Sequence, residues 1–311
     1  MTTTPGTTPT QPAEITSGAE PKTWLPLVAV ATTLVLWASA FVGIRHLGES
    51  VPPGALSLSR LIVMAIALLA LMRGRLPRLP TRREWPLIVA GGASWFGVYN
   101  LALNESERRI DAATAALIVQ IGPLLVALLA TFFLGERLTT WLLIGMGVGF
   151  TGVVVIGRAS SQGDNGDLVG VLLSVVAALT FAIGVLTQKK LLPHMGALDL
   201  TFWYALVGAV VCLPWAGETV SVLGAASADT LWWILYLGVF PSAIAFTTWA
   251  FALSHADAGK FAQSTFLVPF ITALMAWFLL DEVPPALAFL GGGLCIAGVL
   301  LTRRTPSRRA S

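Results

Sequence analysis

Charge is what this sequence has least of. Only 11% of its 311 residues are Asp, Glu, Lys or Arg, while 56% are hydrophobic and the mean hydropathy is +0.79. A soluble domain carries roughly 25% charged residues, so this chain lacks the polar side chains to cover a water-facing surface. The two cysteines, Cys212 and Cys295, each sit inside an apolar run, which argues against a disulfide framework or a Cys-based metal site. His46, His194 and His255 fall in different loops with no metal-ligand spacing. No Gly-Lys-Ser/Thr phosphate loop exists for ATP. No carboxylate stands in the middle of an apolar stretch, where proton-coupled pumps usually keep one. The net charge of +3 comes from few charges and offers no folded basic surface, so nucleic acid is not an expected partner. No cofactor is expected.

Long apolar runs are what the chain does have. Nine windows are free of all four charged types: 23–44, 85–104, 112–135, 138–157, 168–188, 200–217, 230–256, 261–280 and 283–302. A tenth run, 54–72, is broken only by Arg60. A helix needs about 20 apolar residues to cross a bilayer, so each run has the length of one crossing. The runs are too long for the strands of an outer-membrane barrel and lack their period-two alternation. The expected fold is an all-α membrane protein with ten transmembrane helices. Residues 1–23, rich in Thr, Pro and Gly, read as a disordered tail, and 303–311 as a short basic tail. No soluble catalytic domain fits between the runs, so no enzyme is expected.

Basic residues set the orientation. With the N-terminus in the cytoplasm, the tails and even-numbered loops hold 14 Lys and Arg, including Arg73–Arg83, Arg137, Lys189, Lys190 and Lys260. The opposite side holds four: Arg45, Arg108, Arg109 and Arg158. That asymmetry predicts both termini in the cytoplasm.

The chain also repeats itself. At an offset of 146 residues, about 15 of some 53 positions match between 106–158 and 252–304. Asp111-Ala112 pairs with Asp257-Ala258, Pro123 with Pro269, and Leu134/Glu136 with Leu280/Glu282. Gly145, Gly147 and Gly152 pair with Gly291, Gly293 and Gly298. A weaker echo relates 41–45 to 185–189. Two units follow, 24–158 and 168–302, with five crossings each. Five is odd, so the units are inverted, the arrangement of secondary transporters whose substrate site lies between the halves.

These residues resemble the drug/metabolite transporter superfamily, specifically its EamA-type ten-helix members. The resemblance runs from about 24 to 302. It rests on Trp37-Ala-Ser39-Ala-Phe41, on Arg60, and on the twice-repeated segment from small residues through Pro to Leu-x-Glu. The second copy departs after its Glu, with Val283-Pro284-Pro285 where the first has Arg137-Leu138-Thr139. The resemblance implies ATP-independent movement of amino acids, related metabolites or amphipathic toxic compounds. A plasma-membrane exporter, monomeric or weakly dimeric, is the expectation, with a small-molecule substrate and membrane lipids as partners. An intramembrane lipid-modifying enzyme and a non-transporting scaffold are the alternatives.

Arg60 is the only charge within a run, two turns from its end. It either snorkels to the interface or contacts an anionic group of the substrate. Pro123 and Pro269 each remove a backbone hydrogen bond and free the carbonyl four residues earlier, at Val119 and Thr265. Gln120, Gln263 and Ser264 cluster there. These bends are either plain kinks or linings of a central cavity. Trp37, Ser39, Asn100, Thr180, Tyr204 and Trp249 are the remaining cavity candidates. Trp24, Trp85, Trp141, Trp215, Trp232 and Trp233, near run ends, read as interface anchors.

Overall fold

The computed structural model describes residues 24–47, 50–109, 112–160, 167–280 and 286–304. The expected N-terminal tail, most of the C-terminal tail, and Asp111 and Glu282 of the repeat lie outside the described residues. Within them the chain is helical and without strands. An uninterrupted apolar run in lipid must satisfy its backbone internally, and the helix does this locally.

The elements are α1 (Leu25–Leu47), α2 (Pro53–Leu71), α3 (Trp85–Gly91), α4 (Tyr99–Glu107), α5 (Ala112–Val119), α6 (Gly122–Phe133), α7 (Thr140–Ser160) and α8 (Leu168–Leu191). They continue with α9 (Ala197–Val211), α10 (Ala216–Ala225), α11 (Ala228–Gly238), α12 (Ala245–Ser254), α13 (Ala258–Ala262), α14 (Val268–Leu280) and α15 (Ala286–Thr302). Helices α3 and α4 are joined without a break by a π-turn over Gly92–Val98, and α11 and α12 by another over Val239–Ile244. A 3₁₀ segment, Gln263–Leu267, joins α13 to α14. Asp167 caps α8, its carboxylate accepting from the backbone N–H of Val169 and Gly170 at 2.8 and 3.2 Å.

Among the described residues five helices are long and apolar enough to cross a membrane, or six when α9 and the segment after its 57° bend count as one. Ten were expected; three further apolar helices, Leu25–Ala40, Leu117–Phe133 and Ala286–Thr302, are shorter within the described residues. Pro123 splits its run into α5 and α6, of 8 and 12 residues. Pro269 leaves α14 with 13 residues behind a 3₁₀ turn. At 1.5 Å per residue none of these pieces alone spans about 30 Å of hydrocarbon. Large apolar side chains stay outside: Phe132, Phe278, Leu168 and Ile66 are each more than 60% exposed. Such a surface suits lipid, not water.

One seam depends on glycine. A Cβ at Gly152 would lie 2.5 Å from the Gly291 carbonyl oxygen, and one at Gly145 would lie 2.6 Å from that of Gly298. Helices α7 and α15 therefore touch backbone to backbone. Gly147 and Gly293, expected in the same contact, face open space, because residues two apart point to different sides of a helix.

The helix ends collect at two poles. At one, Arg75 and Asp199 pair twice, at 3.0 and 3.1 Å, and Arg78 grips Glu84. Lys189 closes α8 there, and Arg304 lies 5.0 Å over the Trp141 ring. At the other, Arg109 meets Asp167, and His46 meets Asp229 at 2.8 Å. Among the tryptophans expected as anchors, Trp85 packs on Trp203, Trp215 on Gly54, and Trp233 on His46.

Candidate functional site

The two π-turns face each other across α2. A π-turn fits one extra residue into a helical turn and re-aims the side chains around it. The first presents Phe96 and, one turn on, Asn100; the second presents Ser242 and, one turn on, Phe246. With Ser57, Arg60, Leu61 and Met64 of α2 they line one small cavity. Arg60 Nη2 donates to Ser242 Oγ at 3.3 Å. Ser242 Oγ donates to the Leu237 carbonyl, five residues back, at 2.7 Å. Asn100 Nδ2 donates to the Phe96 carbonyl at 2.9 Å. Among the described residues no carboxylate pairs with Arg60. Holding a lone cation away from the interface costs about 2.5–3.5 kcal/mol at mid-membrane and less toward an edge. The free space is about 10 Å³, room for about one water. A bound metabolite needs on the order of 300 Å³. The cavity is shut.

An aromatic layer closes it on the Lys189 side. Phe246 lies 4.5 Å from Phe96 and 5.2 Å from Trp37, ring centre to ring centre. Trp37 lies 4.8 Å from Trp249, which lies 4.5 Å from Phe261. Among the described residues neither the Trp37 nor the Trp249 indole N–H has an acceptor, though both are buried. A buried donor left unpaired costs about 1–3 kcal/mol.

Below that layer lies a polar closure. Gly135, with φ +69°, ends α6, and the Glu136 N–H returns to the Ala130 carbonyl at 3.2 Å. This Gly-terminated turn brings Glu136 to the start of α13. Its carboxylate accepts from the backbone N–H of Ala258 and Gly259 at 2.6 and 2.8 Å. Lys189 Nζ donates to the carbonyls of Leu253 and Ala256 at 2.9 and 2.5 Å. The turn between α12 and α13 is thus held by a cation at the exposed carbonyls of one helix and an anion at the exposed N–H groups of the next. Each charge complements the helix dipole it meets.

The broken helices cross nearby and bond each other's backbone. Gln120 Nε2 donates at 3.0 Å to the Thr265 carbonyl, the one that Pro269 frees. Gln263 Nε2 donates to the carbonyls of Pro123 and Gly259 at 2.8 and 3.0 Å. Ser264 Oγ returns to the Phe261 carbonyl at 2.7 Å.

Of the residues singled out in the sequence, Arg60 and Asn100 meet in the cavity. Trp37 and Trp249 form its inner layer, and Gln120, Pro123, Gln263, Ser264 and Pro269 belong to the crossing. Ser39 bonds Tyr236 at 2.7 Å beside them. Thr180 and Tyr204 stand apart. The Thr180 hydroxyl folds back onto the Val176 and Ala177 carbonyls. The Tyr204 hydroxyl donates to Thr187 behind Phe96. Ser242, Phe96, Phe246 and Gln188 were missed. Only Pro241-Ser242, in the middle of an uncharged window, carried a signal. A larger groove, about 460 Å³, is lined by Gly54, Leu101, Arg108 and Trp215, and Arg60 is not part of its lining.

Comparison with known proteins gives this geometry a family. The chain is 36% identical over 283 residues to a probable terminal-alkyne amino-acid exporter of Streptantibioticus cattleyicolor, covering 90% of this chain and 94% of that one. It is 31% identical over 287 residues to the uncharacterized transporter YdfC of Bacillus subtilis, covering 90% and 92%. It is 25% identical to a probable amino-acid metabolite efflux pump of Escherichia coli, covering 88% and 93%. A solved crystal structure shares the fold with a TM-score of 0.74 at 21% identity, over 89% of this chain and 96% of that one. The model of the EamA-like transporter family matches twice, over residues 24–158 and 168–304. This chain belongs to the EamA-like transporter family and is a multi-pass membrane transporter of small molecules rather than an enzyme.

Proposed function

We propose that this protein exports small carboxylate-bearing molecules, amino acids and related metabolites, across the plasma membrane by alternating access. The observation that carries the reading is Arg60. Among the described residues it is the only charge lining its cavity between the two π-turns, and no carboxylate pairs with it. A guanidinium presents a planar fork of donors that fits a carboxylate. The names of the Streptantibioticus and Escherichia relatives fit the same substrate class.

Counted with their breaks, the helices make ten crossings: α1, α2, α3–α4, α5–α6, α7, α8, α9, α11–α12, α13–α14 and α15. Two matches of one family model, each covering five crossings, support two inverted repeats. In this arrangement the π-turns belong to the third crossing of each half and the proline breaks to the fourth. The Lys189 pole, rich in Arg and Lys, faces the cytoplasm together with both termini. The closure at that pole then makes the structure inward-closed. Lipids surround the bundle, and the protein works as a monomer or a weak dimer.

Transport into proteoliposomes tests this, with L-propargylglycine, L-valine and L-phenylalanine alongside the carboxamide of each, with and without a pH gradient. Acids are expected to move and amides to stay behind. Arg60→Lys is expected to weaken apparent affinity about tenfold at normal expression, since Lys keeps the charge without the fork. Equal transport of acids and amides, or parent-level transport by Arg60→Ala at matched membrane levels, would return Arg60 to snorkelling.

A further inference from the structure

Six buried side-chain polar atoms lack a hydrogen-bond partner among the described residues, and four of them lie between the Arg60 cavity and the Lys189 pole. They are the indole nitrogens of Trp37 and Trp249 and both amide atoms of Gln188. Trp249 and Gln188 have no exposed surface at all. Native interiors pair almost every such atom, so a concentration along one line calls for an explanation.

The line is set by helix register. Phe181, Gly184 and Gln188 share one face of α8, three and four residues apart. Phe181 meets Trp95 and Trp249, at 5.2 and 6.4 Å between ring centres. Gly184 accepts Trp95, whose Cγ would lie 2.8 Å from a Cβ there. One residue past Gln188, Lys189 reaches the carbonyls of Leu253 and Ala256, one to two turns beyond Trp249 on α12 and in the turn after it. Gln188 therefore lies a turn deeper than Trp249 and just inside the closure.

We infer that Trp37, Trp249 and Gln188 line the inner half of the substrate path and form a second polar station, which takes the substrate's carboxylate from Arg60 when the closure at Lys189 opens. The two indoles offer only N–H donors, and the Gln188 amide adds another. Three neutral donors suit an anion in transit. They replace its lost hydration without the full charge that would trap it, as passage through successive sites requires. The identity of the cargo rests on the reading of Arg60; the path itself does not.

Two measurements separate these. In the first, Gln188→Cys is placed in a Cys212→Ala, Cys295→Ala background and reacted in liposomes with a membrane-permeant maleimide. The thiol is expected to be nearly inert, and Lys189→Ala, which removes two charge-assisted bonds, to raise its labelling rate about tenfold or more. Labelling that ignores Lys189→Ala would overturn the path. In the second, Gln188→Leu and Trp249→Phe are each expected to lower the L-propargylglycine transport rate about tenfold. Binding of Gln188→Leu in detergent, read at the Arg60 cavity, should change less than about twofold, since the outer site keeps its contacts. Gln188→Asn, which keeps an amide, should recover part of the rate. Parent-level transport by Gln188→Leu would make the unpaired amide a packing feature and sink the second station. Should the parent move none of the carboxylate probes while the labelling responds to Lys189→Ala, the cargo reading fails and the path stands.

Discussion

The two poles are closed in different ways. At the Lys189 pole, charged side chains bind backbone: Glu136 the first N–H groups of α13, Lys189 the last carbonyls of α12, Asp199 the Arg78 N–H at 2.9 Å. Among the described residues at the other pole, the contacts between helices are neutral or wet. Ser39 meets Tyr236, Ser106 meets Ser174 at 2.7 Å, and the His46 and Asp229 side chains are 49% and 62% exposed. Charge-to-backbone bonds in a half-buried site are worth about twice a neutral hydrogen bond, whereas exposed ion pairs are worth little. A protein that moves cargo between two sides needs states within a few kcal/mol of each other. In this state the tight closure lies at one pole, and the contacts that must break for the exchange are concentrated there.

The strongest way to break that comparison is to remove the closure. Lys189→Ala or Glu136→Gln deletes a pair of charge-assisted bonds, each worth about 1.5–3 kcal/mol. Either change should move the population toward opening at that pole by on the order of tenfold or more. Single cysteines on the Lys189 side should then label faster from that face, and a cysteine at Ser39 should label more slowly. Unchanged labelling at both positions would mean that Lys189 and Glu136 merely cap helix ends.

The crossing of the broken helices gives the next largest effect. Gln120 adds a second donor to the Thr265 carbonyl, which the Val268 N–H also reaches, so Gln120→Leu removes one buried hydrogen bond at a cost of about 0.5–1.5 kcal/mol. Gln263→Leu removes a second donor from the Pro123 carbonyl, which stays inside the hydrogen-bonded first turn of α6, so its effect should be no larger. Pro123→Ala and Pro269→Ala restore a backbone N–H and straighten one break each. If the halves are inverted, the two proline variants should bias access in opposite directions, read as opposite changes in cysteine labelling at Ser39 and Ser264. Shifts of the same sign would leave the prolines as packing features.

How much of this was legible beforehand follows from the kind of signal each feature leaves. The apolar runs, the lone Arg60 and the paired prolines are set by composition and spacing, and each marks a helix or a break in one. The bends expected at Pro123 and Pro269 fall at the turn between α5 and α6 and at the 3₁₀ segment before α14. Ser242, Phe96 and Phe246 reach the cavity because two π-turns shift their register by one residue, and ordinary helical periodicity does not carry that shift. Glu136 and Lys189 read as loop charges that orient the chain. Their partners are backbone groups about 64 to 123 residues away, which have no side-chain signature to read.

Acid should act unequally on the two poles. The Thr81 backbone N–H, with Arg78 beside it, holds the Glu84 carboxyl below its usual range, and the Gly170 and Val169 N–H groups with Arg109 do the same for Asp167. A lowered folded-state pKa adds stability that is present above the unfolded value and lost as pH falls through the folded one. Melting temperature in detergent should therefore hold from pH 7 to about 5 and fall below about 4, where carboxylates protonate. The Glu84 side chain is 10% exposed and that of Asp167 36%, so Glu84→Gln should remove more of the acid-sensitive part than Asp167→Asn. The reverse order would put the stronger electrostatics at the wrong pole.

The smallest effect is expected from the exposed pair at the loosely held pole. His46 Nε2 and Asp229 Oδ2 are 2.8 Å apart and join the end of α1 to the start of α11, where access from that side would open. Its short distance invites the reading of a second closure. Solvent argues otherwise: both side chains are about half exposed or more, and such pairs are worth about 0–1 kcal/mol. Salt screens them further over a Debye length of about 8 Å at physiological ionic strength. The His46 ring also rests on Trp233, 5.0 Å between centres, so its position does not depend on the carboxylate. Asp229→Asn should therefore leave transport within about twofold of the parent and labelling at Ser39 unchanged. A change as large as that from Lys189→Ala would show that both poles are held equally, and the contrast between them would be lost.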